Sequence, residues 1–293
     1  MKKVLFMIFA AVMLTACESG YYGGEVNGEE PSPVETKKFT FTVKGDFKSP
    51  TFNKSKIRKA ASALADDAQL TDLWVFDYQD GAVVQTLHQS AGDAEWGKPV
   101  LNLTYGHHNV CFVASRGTTP AVSGDVITWE KPSDTFWLNY TVDVVGTSNG
   151  NRSVTLDRVA TRLRITPTDE VPSNVAKVTI TPSVWYYGLK VLTGEPTEQR
   201  NTPREIAVPA SYLGTTGELT LSIFGLSAAD EWTTAIDITA TDASGVTIGK
   251  ASIAAAPFKR NRSTDYSGPL FGTSGETSVM LNNEWSEPFV GEW

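Results

Sequence analysis

The feature that most constrains the fold is a long succession of short alternating segments after residue 70. Segments such as "DLWVFDYQ", "HNVCFVAS", "AKVTITPSV" and "TAIDITATD" are rich in Thr, Val, Ile and aromatic residues, and Gly, Pro, Asn, Asp and Ser separate them. Strands at about 8–12-residue spacing, with no helical period between them, are typical of β-sandwiches and not of a parallel α/β sheet. The sequence therefore predicts an all-β fold.

A break in this pattern suggests two domains. "VVGTSNGNRS" interrupts the strands, and "VTLDRVATRLRITPTDEVP" resumes them with several arginines. With 293 residues, 41% of them hydrophobic, the chain is long enough to form two cores. We predict an N-terminal sandwich at 37–155 and a C-terminal sandwich at 156–293. The clustered arginines predict a solvated or interdomain polar face.

The start of the chain predicts export. "MKKVLFMIFAAVMLTAC" places two lysines before an apolar core and a Cys, as a secretory signal does. The core is shorter than the about 20 residues that a membrane-spanning helix needs. The last four residues, "LTAC", resemble the lipobox of bacterial lipoproteins, which implies a signal peptide at 1–17 and acylation of Cys17, with palmitate as an expected acyl chain. Residues 18–36 are acidic and contain Gly and Pro, so they predict a flexible tether.

The sequence contains none of the familiar catalytic patterns. It has no G-x-S-x-G, no H-E-x-x-H, no Cys-x-x-Cys and no phosphate-binding Gly loop. His107 and His108 are adjacent, so they would point to opposite faces of a strand, and Cys111 reads as a small buried hydrophobe. We therefore expect no enzyme, no cofactor and no metal site. A net charge of −8 argues against a nucleic-acid partner.

A basic, Ala-rich stretch follows the first predicted strand. "KSKIRKAASALADDA" (54–68) lies after "KFTFTVKGDF" and contains neither Gly nor Pro. Arg58 is the first arginine of the chain, and the next is Arg116. Two readings stay open, a surface helix with Ala61, Leu64 and Ala65 on its inner face, or an insert that a protease can reach.

Several segments, taken in order, resemble the fimbrillin superfamily, whose members build or anchor type V pili. They are the lipobox, "KFTFTVKG", "LTDLWVFDYQDG", "LNLTYGHHNVCFVAS", "TLDRVATRLRI" and "PFKRNRSTDYSGPLFG". The resemblance implies two tandem transthyretin-like (Ig-like) sandwiches with a short helical or loop insert after the first strand. It also implies an outer membrane lipoprotein at the cell surface or in a fimbrium. The implied partners are other fimbrial subunits, the outer membrane through lipid at Cys17, and host or bacterial surface receptors.

The resemblance also implies roles for particular residues. In polymerising members an arginine-specific protease cuts after the first strand, which makes Arg58 the candidate processing site. The strand that is removed or retained on assembly would carry Phe39, Phe41 and Val43. The strand donated to a neighbour would carry Val279 and Leu281, in a segment that could equally be the last strand of its own domain. Stalk, tip and anchor roles stay open.

An alternative function is a glycan-binding surface lipoprotein that uses exposed aromatic rings. Aromatic platforms bind sugars by stacking, and aromatic residues that fill a core or its rim have the same sequence signature. The candidates are Trp129, Trp137, Trp185, Tyr186 and Tyr187.

Overall fold

The computed structural model describes residues 34–45, 62–148, 150–272 and 289–292. Strands make up most of these ranges, and the helical elements within them are two short 3-10 turns, Leu64–Asp66 and Ala210–Tyr212. The predicted all-β fold is confirmed. Over the described ranges, the chain has no helix with the length and apolar character that crossing a bilayer requires.

Ten strands form before residue 160. They are β1 (Thr36–Gly45), β2 (Ser62–Ala63), β3 (Leu70–Gln79), β4 (Ala82–Ser90), β5 (Val100–Thr104), β6 (Gly106–Arg116), β7 (Ala121–Ser123), β8 (Val126–Thr128), β9 (Thr135–Val144) and β10 (Asn151–Arg158). Eight of them form one sheet in the order β2-β1-β10-β9-β6-β3-β4, with β5 also paired to β1. The strands β9 and β10 pair only through Asp157 with Trp137 and Arg158 with Phe136. Because this link is short, the sheet folds over on itself and encloses a core.

Ten further strands follow. They are β11 (Ala160–Pro167), β12 (Val175–Pro182), β13 (Trp185–Lys190), β14 (Pro196–Arg200), β15 (Arg204–Ala207), β16 (Leu221–Leu226), β17 (Trp232–Asp242), β18 (Thr247–Phe258), β19 (Ser263–Gly268) and β20 (Phe289–Glu292). One sheet has the order β20-β19-β11-β16-β13-β8-β7, with β14 on β13, and a four-stranded sheet has the order β15-β12-β17-β18. Strands β7 and β8 thus come early in the chain but lie in a sheet of its second half. The predicted division at 155/156 stays a prediction.

Period-two alternation explains why these segments are strands. In β10, Val154 and Leu156 are buried while Thr155 and Asp157 are exposed, which is the pattern of a strand with one face on a core. A two-residue turn at Asp80 and Gly81, both with positive φ, joins β3 to β4 as a tight hairpin.

Within the described residues, the side chains form three hydrophobic cores. The first lies between the facing parts of the first sheet and includes Phe41, Val75 and Phe112. The second fills the space between the two later sheets and includes Ile180, Trp185 and Ile238. The third contains residues from both halves of the chain: Phe76, Tyr78, Cys111, Val113, Ile127, Trp129, Val159, Leu189, Val191 and Leu226. Both halves therefore bury side chains in one shared core.

Candidate functional site: the first strand and its groove

Strand β1 lies inside its sheet and has a neighbour on each side. It pairs antiparallel with β5, from Thr36 opposite Thr104 to Thr40 opposite Val100. On its other side it pairs in parallel with β10, from Thr40 opposite Asn151 to Gly45 opposite Leu156. Its last residues, Lys44 and Gly45, also pair with β2. Strand β1 therefore occupies a groove between β5 and β10.

The backbone of β1 is hydrogen-bonded beyond the ends of β5 and β10 as well. The amide of Thr40 donates to Gly150 O at 2.7 Å, and the amides of Phe41 and Val43 donate to Pro99 O and Gly97 O, each at 3.0 Å. A Cβ atom at residue 150 would collide with the carbonyl oxygen of Lys38. Gly150 therefore permits the close approach of β1 to the chain that leads into β10.

The inward side chains of β1 are those that the sequence singled out. Phe39, Phe41 and Val43 each have 0% exposed surface. The Phe41 ring meets Phe112 edge-on at 5.1 Å between centroids and Tyr140 at 6.0 Å. Burying three such side chains contributes about 1.5–3 kcal/mol each, or roughly 5–9 kcal/mol in all. Strand β1 is thus a large part of the first core.

Polar side chains contribute few of the contacts that keep β1 in its groove. The Lys37 ammonium donates to Gly146 O, Ser62 Oγ donates to Gly45 O at 3.4 Å, and the Arg152 guanidinium lies 5.0 Å from the Phe39 ring centroid. Among the described residues, no ion pair involves a side chain of β1. Backbone pairing and apolar packing hold this strand in place.

Five of the residues singled out in the sequence lie outside the described part of the chain: Cys17, Arg58, Ala61, Val279 and Leu281. The described residues on either side of the Arg58 segment are Gly45, which ends β1, and Ser62, which begins β2. Close to the C-terminus, β20 pairs in parallel with β19, with Phe289 opposite Thr264. Of the basic stretch at 54–68, the described part forms β2 and the turn at Leu64–Asp66, and Leu64 is fully buried.

The next arginine after Arg58 is engaged in the folded chain. Arg116 Nη2 lies 2.7 Å from Asp67 Oδ2, and Nη1 lies 3.3 Å from Asp134 Oδ2. Asp134 also pairs with Arg158, whose Nε lies 2.7 Å from Asp134 Oδ1. Arg158 Nη1 donates to Asn261 Oδ1 of the second half at 3.2 Å. This network joins the two halves beside the third core.

A buried histidine–aspartate pair was not anticipated from the sequence. His107 is exposed and lies 2.7 Å from Asp143, whereas His108 is fully buried with Nδ1 2.8 Å from Asp77 Oδ1. His108 Nε2 also lies 3.0 Å from Thr104 O. Burial raises the pKa of Asp77, and the hydrogen bond and charge of His108 partly oppose that rise. Because adjacent histidines on a strand point to opposite faces, the sequence could have indicated that one of them is buried. Its partner Asp77 lies on another strand, and only the tertiary fold brings the two together.

The remaining candidates from the sequence are mostly interior residues. Cys111 is buried, and desolvation raises the pKa of its thiol to about 12. Trp129 and Trp185 have 0% exposure and Tyr187 has 1%, while Trp137 and Tyr186 are partly buried. Within the described ranges, no group of three or more His, Cys, Asp or Glu side chains could hold a metal ion.

Comparison with known proteins gives a family match over more than half of the chain. Residues 121–292 match the family model described as "Family of unknown function (DUF6562)". The chain belongs to this family. No curated protein matches the chain significantly.

The fold is also similar to several solved structures. One is a "putative adhesin" from Bacteroides ovatus, at 12% identity and a TM-score of 0.48, covering 73% of this chain and 76% of that one. Another is the fimbrial anchor protein Mfa2 from Porphyromonas gingivalis, at 9% identity and a TM-score of 0.44, covering 73% and 81%. A third is the tip fimbrial protein Mfa3 from the same organism, at 12% identity and a TM-score of 0.38, covering 74% and 82%. These neighbours thus include fimbrial anchor and tip proteins.

Proposed function

We propose that this chain is a structural and adhesive subunit of a cell-surface type V fimbria, exported as a lipoprotein and assembled by donor-strand exchange. The observation that carries the proposal is the position of β1. It is an interior strand that fills a groove between β5 and β10, and its side chains make no ion pair within the described part of the chain. Another strand with the same alternation can reproduce those contacts, because main-chain pairing needs no particular residue.

The energetics require that the groove be filled. Loss of β1 would remove roughly 5–9 kcal/mol of apolar burial and expose the edges of β5 and β10. A whole domain is stable by only about 5–15 kcal/mol. An empty groove is therefore unstable, and its open edges form a template for a strand from another chain.

A cut at Arg58 would separate β1 from the body of the protein. Arg58 lies between the end of β1 at Gly45 and the start of β2 at Ser62. Cys17 and β1 are on the same side of that bond. A cut therefore releases the body from the lipid at the moment it frees the groove, whereas an uncut chain stays anchored with its groove filled. This difference separates a polymerising subunit from an anchor.

The other assignments belong to the same proposal. The segment with Val279 and Leu281 supplies the strand for a neighbouring subunit, and lipid at Cys17 places the precursor in the outer membrane. The partners are further fimbrial subunits and surface receptors, and no catalytic step is involved.

The direct test is to treat the full-length chain with an arginine-specific protease. We expect a new N-terminus at Lys59, followed by polymers on a native gel. Arg58→Lys should stay uncut and monomeric. Arg200→Lys replaces a part-exposed arginine of β14 and serves as the control, which we expect to be cut and to polymerise as the native chain does.

Two results would overturn the proposal for polymerising subunits. One is cleavage at Arg58 without any association, and the other is equal polymerisation by Arg58→Lys. The N-terminal residue of protein recovered from cells then assigns the role: acylated Cys17 indicates an anchor or precursor, and Lys59 indicates a matured subunit.

A further inference from the structure

The edge strand β4 differs from the other sheet edges of the described chain. Six of those edges are short, from two to five residues: β2, β5, β7, β14, β15 and β20. The longer edge β18 has Lys250, Pro257 and two register shifts against β17. Charges, proline, bulges and shortness are the usual means of keeping an edge from pairing with another chain.

Strand β4 has few of these protections. It is nine residues long, has the sequence AVVQTLHQS, and contains no Lys, Arg, Asp, Glu, Pro or Gly. Its one irregularity is a register shift at Val84, where Gln85 lies opposite Asp77 and Val83 opposite Tyr78. From Gln85 to Ser90 the strand is regular. Val83 and Val84 are 38% and 54% exposed.

The register identifies the groups that face outward from this edge. Ala91 N donates to Thr71 O at 2.9 Å, which makes residues 71 and 91 a hydrogen-bonded pair. Because such pairs alternate in an antiparallel ladder, Gln89 and Leu87 bond to β3, while the amide and carbonyl groups of His88 and Thr86 point away from it. Those groups are available to a further strand.

The outer edge is also held rigidly. The His88 ring stacks on Trp74, with centroids 4.0 Å apart and an interplanar angle of 12°. His88 Nε2 lies 2.8 Å from Asp72 Oδ1, which is itself almost fully buried. A strand fixed in this way loses little conformational entropy when it pairs.

We infer that β4 pairs antiparallel with β4 of a second copy of this chain, about a two-fold axis at Leu87. In an antiparallel self-pair a charged residue close to the two-fold axis would lie near its own copy, and β4 has no charged residue. With Leu87 opposite Leu87, Thr86 lies opposite His88 of the other copy, and both residues present outward-facing backbone groups. The two-fold axis also keeps like faces together, so Leu87 meets its own copy on the core side and Thr86 meets His88 on the other.

The expected association is weak by itself. One strand pair buries less than the about 1,200 Å² of a stable interface, so the dimer should depend on concentration. Covalent capture is therefore the suitable measurement. This contact is separate from the groove of β1, and it does not depend on strand exchange.

The test uses Thr86→Cys in the full-length chain, treated in intact cells with a short bis-maleimide. We expect a product at about twice the mass of the monomer band on a denaturing gel. Val246→Cys is the matched control, because Val246 is 59% exposed at the turn before β18 and lies on no proposed contact. Native Cys111 is buried and should not contribute.

A second variant tests the pairing itself. In this register residue 84 of one copy lies opposite residue 90 of the other, so adding Val84→Lys together with Ser90→Lys to Thr86→Cys sets like charges opposite each other on both sides of the axis, and we expect the crosslinked product to fall at least severalfold. Unchanged thermal unfolding would show that the fold is intact. The inference is overturned if Thr86→Cys gives no more dimer than Val246→Cys, if adding Val84→Lys with Ser90→Lys leaves the yield unchanged, or if the adduct contains a different protein.

Discussion

Strands β1 and β19 occupy comparable places in the two halves of the molecule but are held by different forces. Each pairs in parallel with a strand at the crossover between the halves, β1 with β10 and β19 with β11. Strand β1 buries Phe39, Phe41 and Val43. Strand β19 buries Ser263, Thr264 and Asp265 as well as Tyr266.

The polar residues of β19 bond to specific neighbours. Asp265 Oδ2 lies 2.9 Å from Arg164 Nη2, and Arg162 Nε donates to Ser263 Oγ at 3.0 Å. The Thr264 hydroxyl donates to Pro257 O. A replacement strand would have to match all of these groups, whereas a replacement for β1 needs only backbone and alternating apolar side chains. The comparison supports the proposal that β1, and not β19, is the strand that exchanges.

The largest expected effect comes from weakening the apolar hold on β1. Phe41→Ala should lower the free energy of unfolding by about 3–5 kcal/mol, because it removes a fully buried ring from the first core. Denaturant unfolding measures this change. Thr42→Ala, on the opposite face of β1, should cost under about 1 kcal/mol. Equal losses for the two variants would contradict the role assigned to apolar packing.

The matching change in β19 should have a smaller but clear cost. Asp265→Ala removes the acceptor of the Ser263 hydroxyl and the ion-pair partner of Arg164 in a mostly buried position, so we expect a loss of about 1–3 kcal/mol in the same assay. Glu205→Ala removes one partner of the exposed pair with Lys177 and should change stability by less than about 0.5 kcal/mol. If Asp265→Ala behaves like Glu205→Ala, β19 is not held by its polar side chains.

A pH series examines the sheet that packs against β1. The pKa of Asp77 is raised above its ordinary value of 3.8, chiefly by burial, so the folded state binds its proton more tightly than the unfolded state does. Its contribution to stability is full below pH 3.8 and is lost as pH rises through the folded-state pKa.

We therefore expect Asp77→Asn to gain stability relative to the native chain as pH rises through that window. Thermal unfolding at a series of pH values measures the difference. Asp143→Asn, in the exposed pair with His107, is the control and should show a smaller trend. A constant difference between Asp77→Asn and the native chain would refute this reading of Asp77.

The smallest expected effect concerns Cys111, which faces the shared third core. Burial raises the pKa of its thiol to about 12, so alkylation at pH 8 should be undetectable in the folded protein by peptide mapping. Phe41→Ala should leave this protection intact below its unfolding transition, because Phe41 packs in the first core. Rapid alkylation of the folded variant would mean that removing the Phe41 ring from the first core also exposes the third core to solvent.

Parts of this site could be predicted from residue patterns alone. The alternation of "KFTFTVKG" identifies Phe39, Phe41 and Val43 as one buried face, because a strand repeats every two residues. The pairing of β1 with both β5 and β10 could not be predicted. These strands are far apart in sequence, and a period-two pattern shows which face of a strand is buried but not which strands pair with it. The pairing of Arg158 with Asp134 could not be predicted either. A single arginine in a strand has the same sequence pattern whether its side chain is solvated or buried in an ion pair.

The sequence by itself determined the all-β class, the buried face of β1 and the position of Arg58 between β1 and β2. These depend on local order along the chain, which folding does not alter. Only the tertiary structure decided that β1 is interior, that both halves share a core that contains Cys111 and Leu226, and that β4 is a long uncharged edge. Those properties arise from contacts between distant segments, and the free energy of the whole fold selects among the many pairings that local patterns permit.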